Sequence, residues 1–378
     1  MIKLRAAVFI LMALASPWAV ADEPRSAAAQ INDAFKAYQE AEQSGDASAV
    51  WAAANAAYVL ATELDASPET LIVLADNYAL SIQRRNGFRR SETLLRVLEH
   101  EIELIEQHWG PDSEALVNPL RDYARAQYQQ DFDQGDSRRR FRRVEDLIDQ
   151  HYSEPDLDRA SRLYQLAEAQ LYSGATSDGD DNLEKAIEIY HDLLPDEDVR
   201  IGLAHHLAGR LEFAQRDYEE AIEYFERSTT ALAPDGVSRN PAGLSAYAFL
   251  VQSYSELGDE DKATEYCLEI GRSTPAQANA DYEPIYRIPP RYPRSAASQG
   301  IEGWVVLEFT VDEQGFVRNP VAIDSEFSKN DRPAGTDRAM INTAIDAVNK
   351  FRYAPRFEDG EAVATHGVKN RFSFELAN

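Results

Sequence analysis

The chain has 378 residues, enough for two or three folding units at the usual ~100–200 residues each, and carries 65 Asp+Glu against 38 Lys+Arg for a formal net charge of −27. That acidic balance argues against nucleic acid or an anionic membrane surface as a partner, since both reward clustered positive charge. With one cysteine, Cys267, no internal disulfide is available, so stability must come from buried apolar surface.

The N-terminus reads as a secretory signal. Lys3 and Arg5 supply a positive n-region, residues 6–15 form an unbroken apolar run, and Pro17 is followed by Ala19-Val20-Ala21 before Asp22, an A-x-A cleavage pattern. The apolar run is about half the ~20 residues that a spanning helix needs. The expectation is a signal peptide over residues 1–21 and a mature protein in the periplasm, with an inner-membrane anchor on the periplasmic side as the alternative.

Residues 22–275 are rich in Ala, Leu, Glu and Tyr at helical spacing, which predicts a mainly helical region. Within it a small residue precedes an aromatic or bulky apolar residue by one turn in three places: Ala221 before Phe225, Ala263 before Cys267, and Ala186 before Tyr190. These alanines lie 35 and 42 residues apart. Allowing a loop insertion at residues 234–243, this resembles the 34-residue tetratricopeptide (TPR) repeat, with Ala208 and Gly209 at the small positions of a preceding helix and Pro234 and Pro275 closing repeats. Helix pairs are expected around residues 35–64 and 71–109, with a turn at residues 108–112.

Four local patterns carry weaker signals. His205 and His206 are adjacent on a predicted helix and diverge by about 100°, which favours packing over chelation of one metal. Residues 177–182 have the acidic look of a calcium loop but lack the glycine that the pattern requires, so a solvated inter-helix loop is expected. Cys267 reads as a buried thiol. The run Arg138-Arg139-Arg140-Phe141-Arg142-Arg143 reads as a solvated helix face, with docking of an acidic partner as the sharper alternative. No nucleophile-elbow, Walker, zincin or dinucleotide motif occurs, so neither enzyme activity nor a cofactor or metal is expected.

Residues 276–288 lose helical periodicity and form a linker. At most about 15 residues of such chain reach about 50 Å at ~3.4 Å per residue. The segment 289–378 then changes period. Val305, Leu307, Phe309 and Val311 alternate as a half-buried strand, residues 312–315 form a turn, and residues 316–324 make a returning strand that Pro320 interrupts. Residues 337–351 form a helix with Met340, Ala344, Val348 and Phe351 on one face. A last strand runs over residues 368–376, with Val368, Phe372, Phe374 and Leu376 inward and Lys369, Arg371, Ser373 and Glu375 outward. The expected unit is strand-strand-helix-strand, an α+β layer, foldable separately from the helical array.

This unit resembles the C-terminal domain of the TonB family, in Pro290-Arg291-Tyr292-Pro293, Gly300-Ile301-Glu302-Gly303-Trp304-Val305, Phe309-Thr310-Val311 with Gly315, Asp324-Ser325, Phe351-Arg352-Tyr353-Ala354-Pro355 and Arg371-Phe372-Ser373-Phe374. The resemblance implies that the last strand lies at a sheet edge and captures the short box peptide of a TonB-dependent outer-membrane transporter by β-augmentation. The partner-binding residues it implies are Arg291, Tyr292, Pro293, Val368, Lys369, Asn370, Arg371, Phe372, Ser373 and Phe374. Tyr292 and Pro293 have a packing role as their competing reading. Without a long proline-rich spacer, an adaptor suits the sequence better than a lone transducer. Motor proteins of the ExbB/ExbD type would then be reached through an adaptor, and an unknown protein would dock on the TPR region. The other reading is a periplasmic TPR scaffold whose terminal domain self-associates as a homodimer.

Overall fold

A computed structural model describes residues 26–86, 91–128, 135–174, 176–274, 282–329, 332–335 and 337–376. The signal-peptide reading of residues 1–21 and the first part of the linker reading, residues 276–281, fall outside these. The chain divides into two compact units, Met1–Pro111 and Asp112–Asn378.

The first unit holds α1 (Ala27–Ser44), α2 (Ala47–Glu63), α3 (Pro68–Asn86) and α4 (Glu92–Trp109). Side chains of Ser26, Asp46 and Ser91 accept from backbone amides of α1, α2 and α4 respectively, which places the helix starts. Ala57 and Ala61 of α2 are buried with Ile31, Leu71 and Leu74. Small residues there let neighbouring helices approach closely.

The second unit begins with a 3₁₀ turn, Glu114–Leu116, and continues through α5 (Val117–Tyr128), α6 (Gly135–His151), α7 (Leu157–Tyr172), α8 (Thr176–Leu193), α9 (Val199–Gln215), α10 (Tyr218–Leu232), α11 (Pro241–Leu257) and α12 (Glu260–Ser273). Short connections make successive helices neighbours, so these segments form TPR-like hairpins. Ala186, Ala221 and Ala263 are all 0% exposed, as the repeat spacing predicts. A Cβ on Gly209 would stand 2.8 Å from the Phe225 ring, so the small residue of α9 makes room for the aromatic of α10.

Residues 177–182 correct the loop expectation: they lie within α8. Asp178 sits in the first turn, where a carboxylate complements the helix dipole, and Asn182 is buried with its amide donating to Gln170 Oε1 at 3.1 Å. The acidic run reads as a loop only because glycine and aspartate are poor interior helix formers. Gly179 is instead a close-packing position against Leu171.

The terminal domain comprises α13 (Arg294–Gln299), β1 (Ile301–Val311), β2 (Val317–Lys329), β3 (Arg332–Pro333), α14 (Arg338–Val348), β4 (Arg356–Glu358), β5 (Glu361–Val363) and β6 (Thr365–Phe374). One antiparallel sheet runs in the order β3-β2-β1-β6, and β4-β5 is a separate hairpin. Val305, Leu307, Phe309 and Val311 of β1 are buried against Met340, Ala344 and Val348 of α14. The turn between β1 and β2 closes on Gly315, whose φ of 85° needs glycine. A Cβ there would also fall 2.1 Å from the Tyr353 carbonyl.

Pro320 interrupts β2 as expected. The β1–β2 register shifts between Glu308 and Thr310, and again between Val306 and Leu307. Asn319 takes φ of 53° beside the first shift, which marks a bulge. The last strand starts earlier and stops sooner than its alternation suggests. Leu376 lies beyond β6, held by its amide donating to Glu302 Oε1 at 2.6 Å.

Candidate functional site

Strand β6 pairs with β1 from Phe374 opposite Gly303 to Thr365 opposite Val311, with one irregularity between Phe309 and Val311. It ends the sheet order, so its other edge has no strand beside it among the described residues. Alternation sorts its side chains. Val368, Phe372 and Phe374 are buried in the core, and Phe372 lies 5.7 Å from the Phe351 ring. Lys369, Arg371 and Ser373 face outward. Lys369 Nζ sits 3.5 Å from Glu308 Oε2, and the Arg371 guanidinium lies 4.3 Å above the Trp304 ring.

Beside this edge runs a groove of about 370 Å³, lined by Arg287, Ile288, Pro289, Pro290, Phe351 and the run Asn370, Arg371, Phe372 and Ser373. Pro289 and Pro290 carry no N–H, so this stretch leaves the β6 edge open to other backbone groups. Four expected site residues therefore meet in one groove, while Val368, Lys369 and Phe374 lie outside its lining. Phe351 and the prolines were not singled out as site residues; apolar character at a strand edge is the signal that could have found them.

Within the Tyr-Pro segment, Tyr292 is packed against the domain. Tyr292 donates its hydroxyl to the Ile301 carbonyl at 2.6 Å and sets its ring edge-on to Phe374, 5.7 Å away. Pro293 is the residue at the N-cap of α13. Arg291, Tyr292 and Pro293 also line a second groove of about 920 Å³ against α14, which shares Ile288 and Pro289 with the first.

A third feature ties this domain to the helices. Arg352 is 2% exposed and forms an ion pair with Glu260, the first residue of α12. It also donates to Thr264 Oγ1 at 2.7 Å and to the Gln314 carbonyl at 3.4 Å, and its guanidinium covers the Phe316 ring at 3.8 Å. Glu260, Thr264, Cys267 and Gly271 recur at helical spacing and form one face of α12. At its far end a Cβ on Gly271 would lie 2.4 Å from the Pro355 carbonyl. Cys267 is buried as expected, and burial pushes its thiol up to about 11 against the opposing pull of Arg352. Its neighbour is the terminal domain. Backbone bonds from Ile285 and Tyr286 to Arg352 carry the connecting segment into the same contact.

His205 and His206 are packing groups. His205 Nε2 faces His191 Nε2 at 2.9 Å, and His206 lies 6.0 Å from the Phe225 ring. Desolvation holds both imidazoles down at about 4. In the basic run, Phe141 is buried and Arg140 stacks 4.4 Å over Tyr123, so part of that face is used within the fold. No helix among the described residues is long and apolar enough to cross a membrane.

An open terminal strand on a sheet-and-helix layer, entered through a Tyr-Pro segment, is the arrangement that the sequence resemblance implies. Residues 288–376 match the family of Gram-negative bacterial TonB protein C-terminal domains. The chain is 32% identical over 90 residues to protein TonB of Vibrio cholerae and 31% identical over 94 residues to protein TonB of Pseudomonas aeruginosa. The matches cover 24% and 25% of this chain, and the chain spans about a third of the first relative (33%) and a quarter of the second (25%). Among solved structures, the P. aeruginosa TonB C-terminal domain in solution is 28% identical, with 26% of this chain and 91% of that one covered and a TM-score of 0.21. Two further solved structures are similar to this chain. BtubC of P. vanneervenii is 16% identical over 64% of this chain and 88% of its own, with a TM-score of 0.43. A kinesin light chain TPR-like repeat protein of Podosopora anserina is 18% identical over 54% and 93%, with a TM-score of 0.44.

Proposed function

We propose that the TonB C-terminal domain captures an extended peptide as an additional strand on the free edge of β6, in TonB-dependent transport across the outer membrane. The observation that carries this is the position of β6 at the end of the sheet order, with Asn370 to Ser373 along an open groove. Unpaired backbone groups supply most of the attraction in such capture, and alternate side chains set register. The partner is the box peptide of a TonB-dependent transporter, and the protein works in the periplasm as an adaptor. Its TPR-like helices dock a second protein, through which an ExbB/ExbD-type motor is reached.

The test is titration of box peptides from outer-membrane transporters against the full chain, with each peptide also prepared N-methylated at alternate residues. Methylation on the edge-facing amides should abolish binding, and methylation on the opposite set should spare it. If no box peptide binds, or both methylated forms bind like the parent, strand capture at β6 is wrong. A concentration-dependent dimer lost on placing proline in β6 would support self-association in its place.

A further inference from the structure

We propose that the second groove, between residues 291–294 and α14, receives an acidic flank of the peptide whose strand segment pairs with β6. This rests on the strand-capture reading and adds the chemistry of the ligand. The two grooves share Ile288 and Pro289, so a chain leaving the β6 edge meets the second groove directly. Together they are lined by five basic side chains, Arg287, Arg291, Arg294, Lys350 and Arg371, against the single carboxylate of Asp346. That balance is the reverse of the molecule as a whole, whose net charge is −27.

The basic groups of the second groove are exposed. Arg291, Arg294 and Lys350 form no ion pair among the described residues, whereas Lys369 on β6 is held by Glu308. Cations left unneutralised along a concave path, in a protein with a surplus of acids, are complementary to carboxylates arriving from outside. Glu302 and Asp337 stand near enough to act on the Tyr292 hydroxyl but do not line the groove, and acids farther off act only weakly, because fields beyond a Debye length of about 10 Å are screened at 0.1 M salt. Three exposed groups acting together supply selectivity, while backbone pairing on β6 supplies the base affinity.

The probes are synthetic peptides titrated against the full chain by fluorescence anisotropy at physiological salt. A box-derived strand peptide is compared with the same peptide bearing a glutamate tail or a glutamine tail, placed at each terminus in turn. The glutamate tail at one terminus should tighten binding about fivefold over its glutamine counterpart. A carbodiimide should couple that tail to Lys350. The double variant Arg294→Gln/Lys350→Gln should erase the advantage and leave the untailed peptide's affinity unchanged, with an unaltered melting temperature showing the fold intact. Equal affinities for glutamate and glutamine tails at both termini would overturn the acidic-flank proposal and leave strand capture standing. So would an advantage that survives the double variant. Failure of the untailed peptide to bind would instead remove strand capture itself, and this inference with it.

Discussion

The guanidinium of Arg352 and the carboxylate of Glu260 meet across 92 positions of sequence, and the pair is asymmetric: Arg352 is 2% exposed and Glu260 56%. Removing the glutamate strands a cation in the interior, whereas removing the arginine leaves a carboxylate that water can reach. Glu260→Ala should therefore destabilise the protein by about 2–3 kcal/mol, below the figure for a fully buried pair because half of Glu260 is already solvated. Arg352→Met should cost less. Urea unfolding of both variants checks the order, and the reverse ranking would show that the pair does not join the two elements.

The same contact sets the reactivity of Cys267. A thiol pushed up to about 11 is almost wholly protonated at pH 8, and only the thiolate reacts. Ellman's reagent should leave the native chain unlabelled over the time in which the urea-unfolded chain reacts completely. Glu260→Ala should speed native labelling by loosening the cover over Cys267. Rapid labelling of the unaltered protein would contradict the burial seen on α12.

Gly271 marks where α12 comes nearest to the terminal domain. Since an added Cβ would lie 2.4 Å from the Pro355 carbonyl, Gly271→Ala should force the two apart even though alanine is the better helix former by about 1 kcal/mol. The expected outcome is a lower melting temperature together with faster tryptic cleavage after Arg287. A stabilised variant would mean that the contact is looser than described.

His205 gives the chain a predictable acid sensitivity. Around it stand His191 at 2.9 Å, the Tyr224 ring, Arg227 and Asp196. Folded, it stays neutral down to about 4; unfolded, it takes up a proton near its ordinary 6.5. Its contribution is thus complete above pH 6.5 and disappears as the pH falls towards 4, a difference of about 3 kcal/mol. Melting temperatures from pH 8 to pH 4 should fall less steeply for His205→Gln than for the unaltered chain. Parallel curves would show that His205 is already charged in the fold.

What local pattern could show was shown. The buried rows Val305-Leu307-Phe309-Val311 and Val368-Phe372-Phe374 and the helix face Met340-Ala344-Val348 each repeat within one element, where periodicity of two or 3.6 is visible, and the repeat alanines Ala186, Ala221 and Ala263 recur from one hairpin to the next at close to the 34-residue period. The hairpin β4-β5 and helix α13 have too few residues to display a period. Arg352 stands in a family-like motif, but its buried position follows from a helix 92 residues away, and an arginine carries no local sign of burial. Compact unit 112–378 places the last helices and the terminal domain together, where the sequence suggested a break at residues 276–288. The same long-range contact is the physical reason, and the proteolysis described above tests how far the two remain separable.

The irregularities of β2 bear on how many chains can join. An unbroken strand on that side would offer each molecule two compatible rims, and copies could then polymerise rim to rim. Here Asn319 turns to positive φ, Pro320 withholds a donor, and the pairing register slips twice. Strand β3 then caps Ser328 and Lys329, so the longest regular stretch left on that rim is short. If β6 captures a strand as proposed, growth of the sheet is confined to that side, and the expected stoichiometry is one incoming strand per chain in a closed complex.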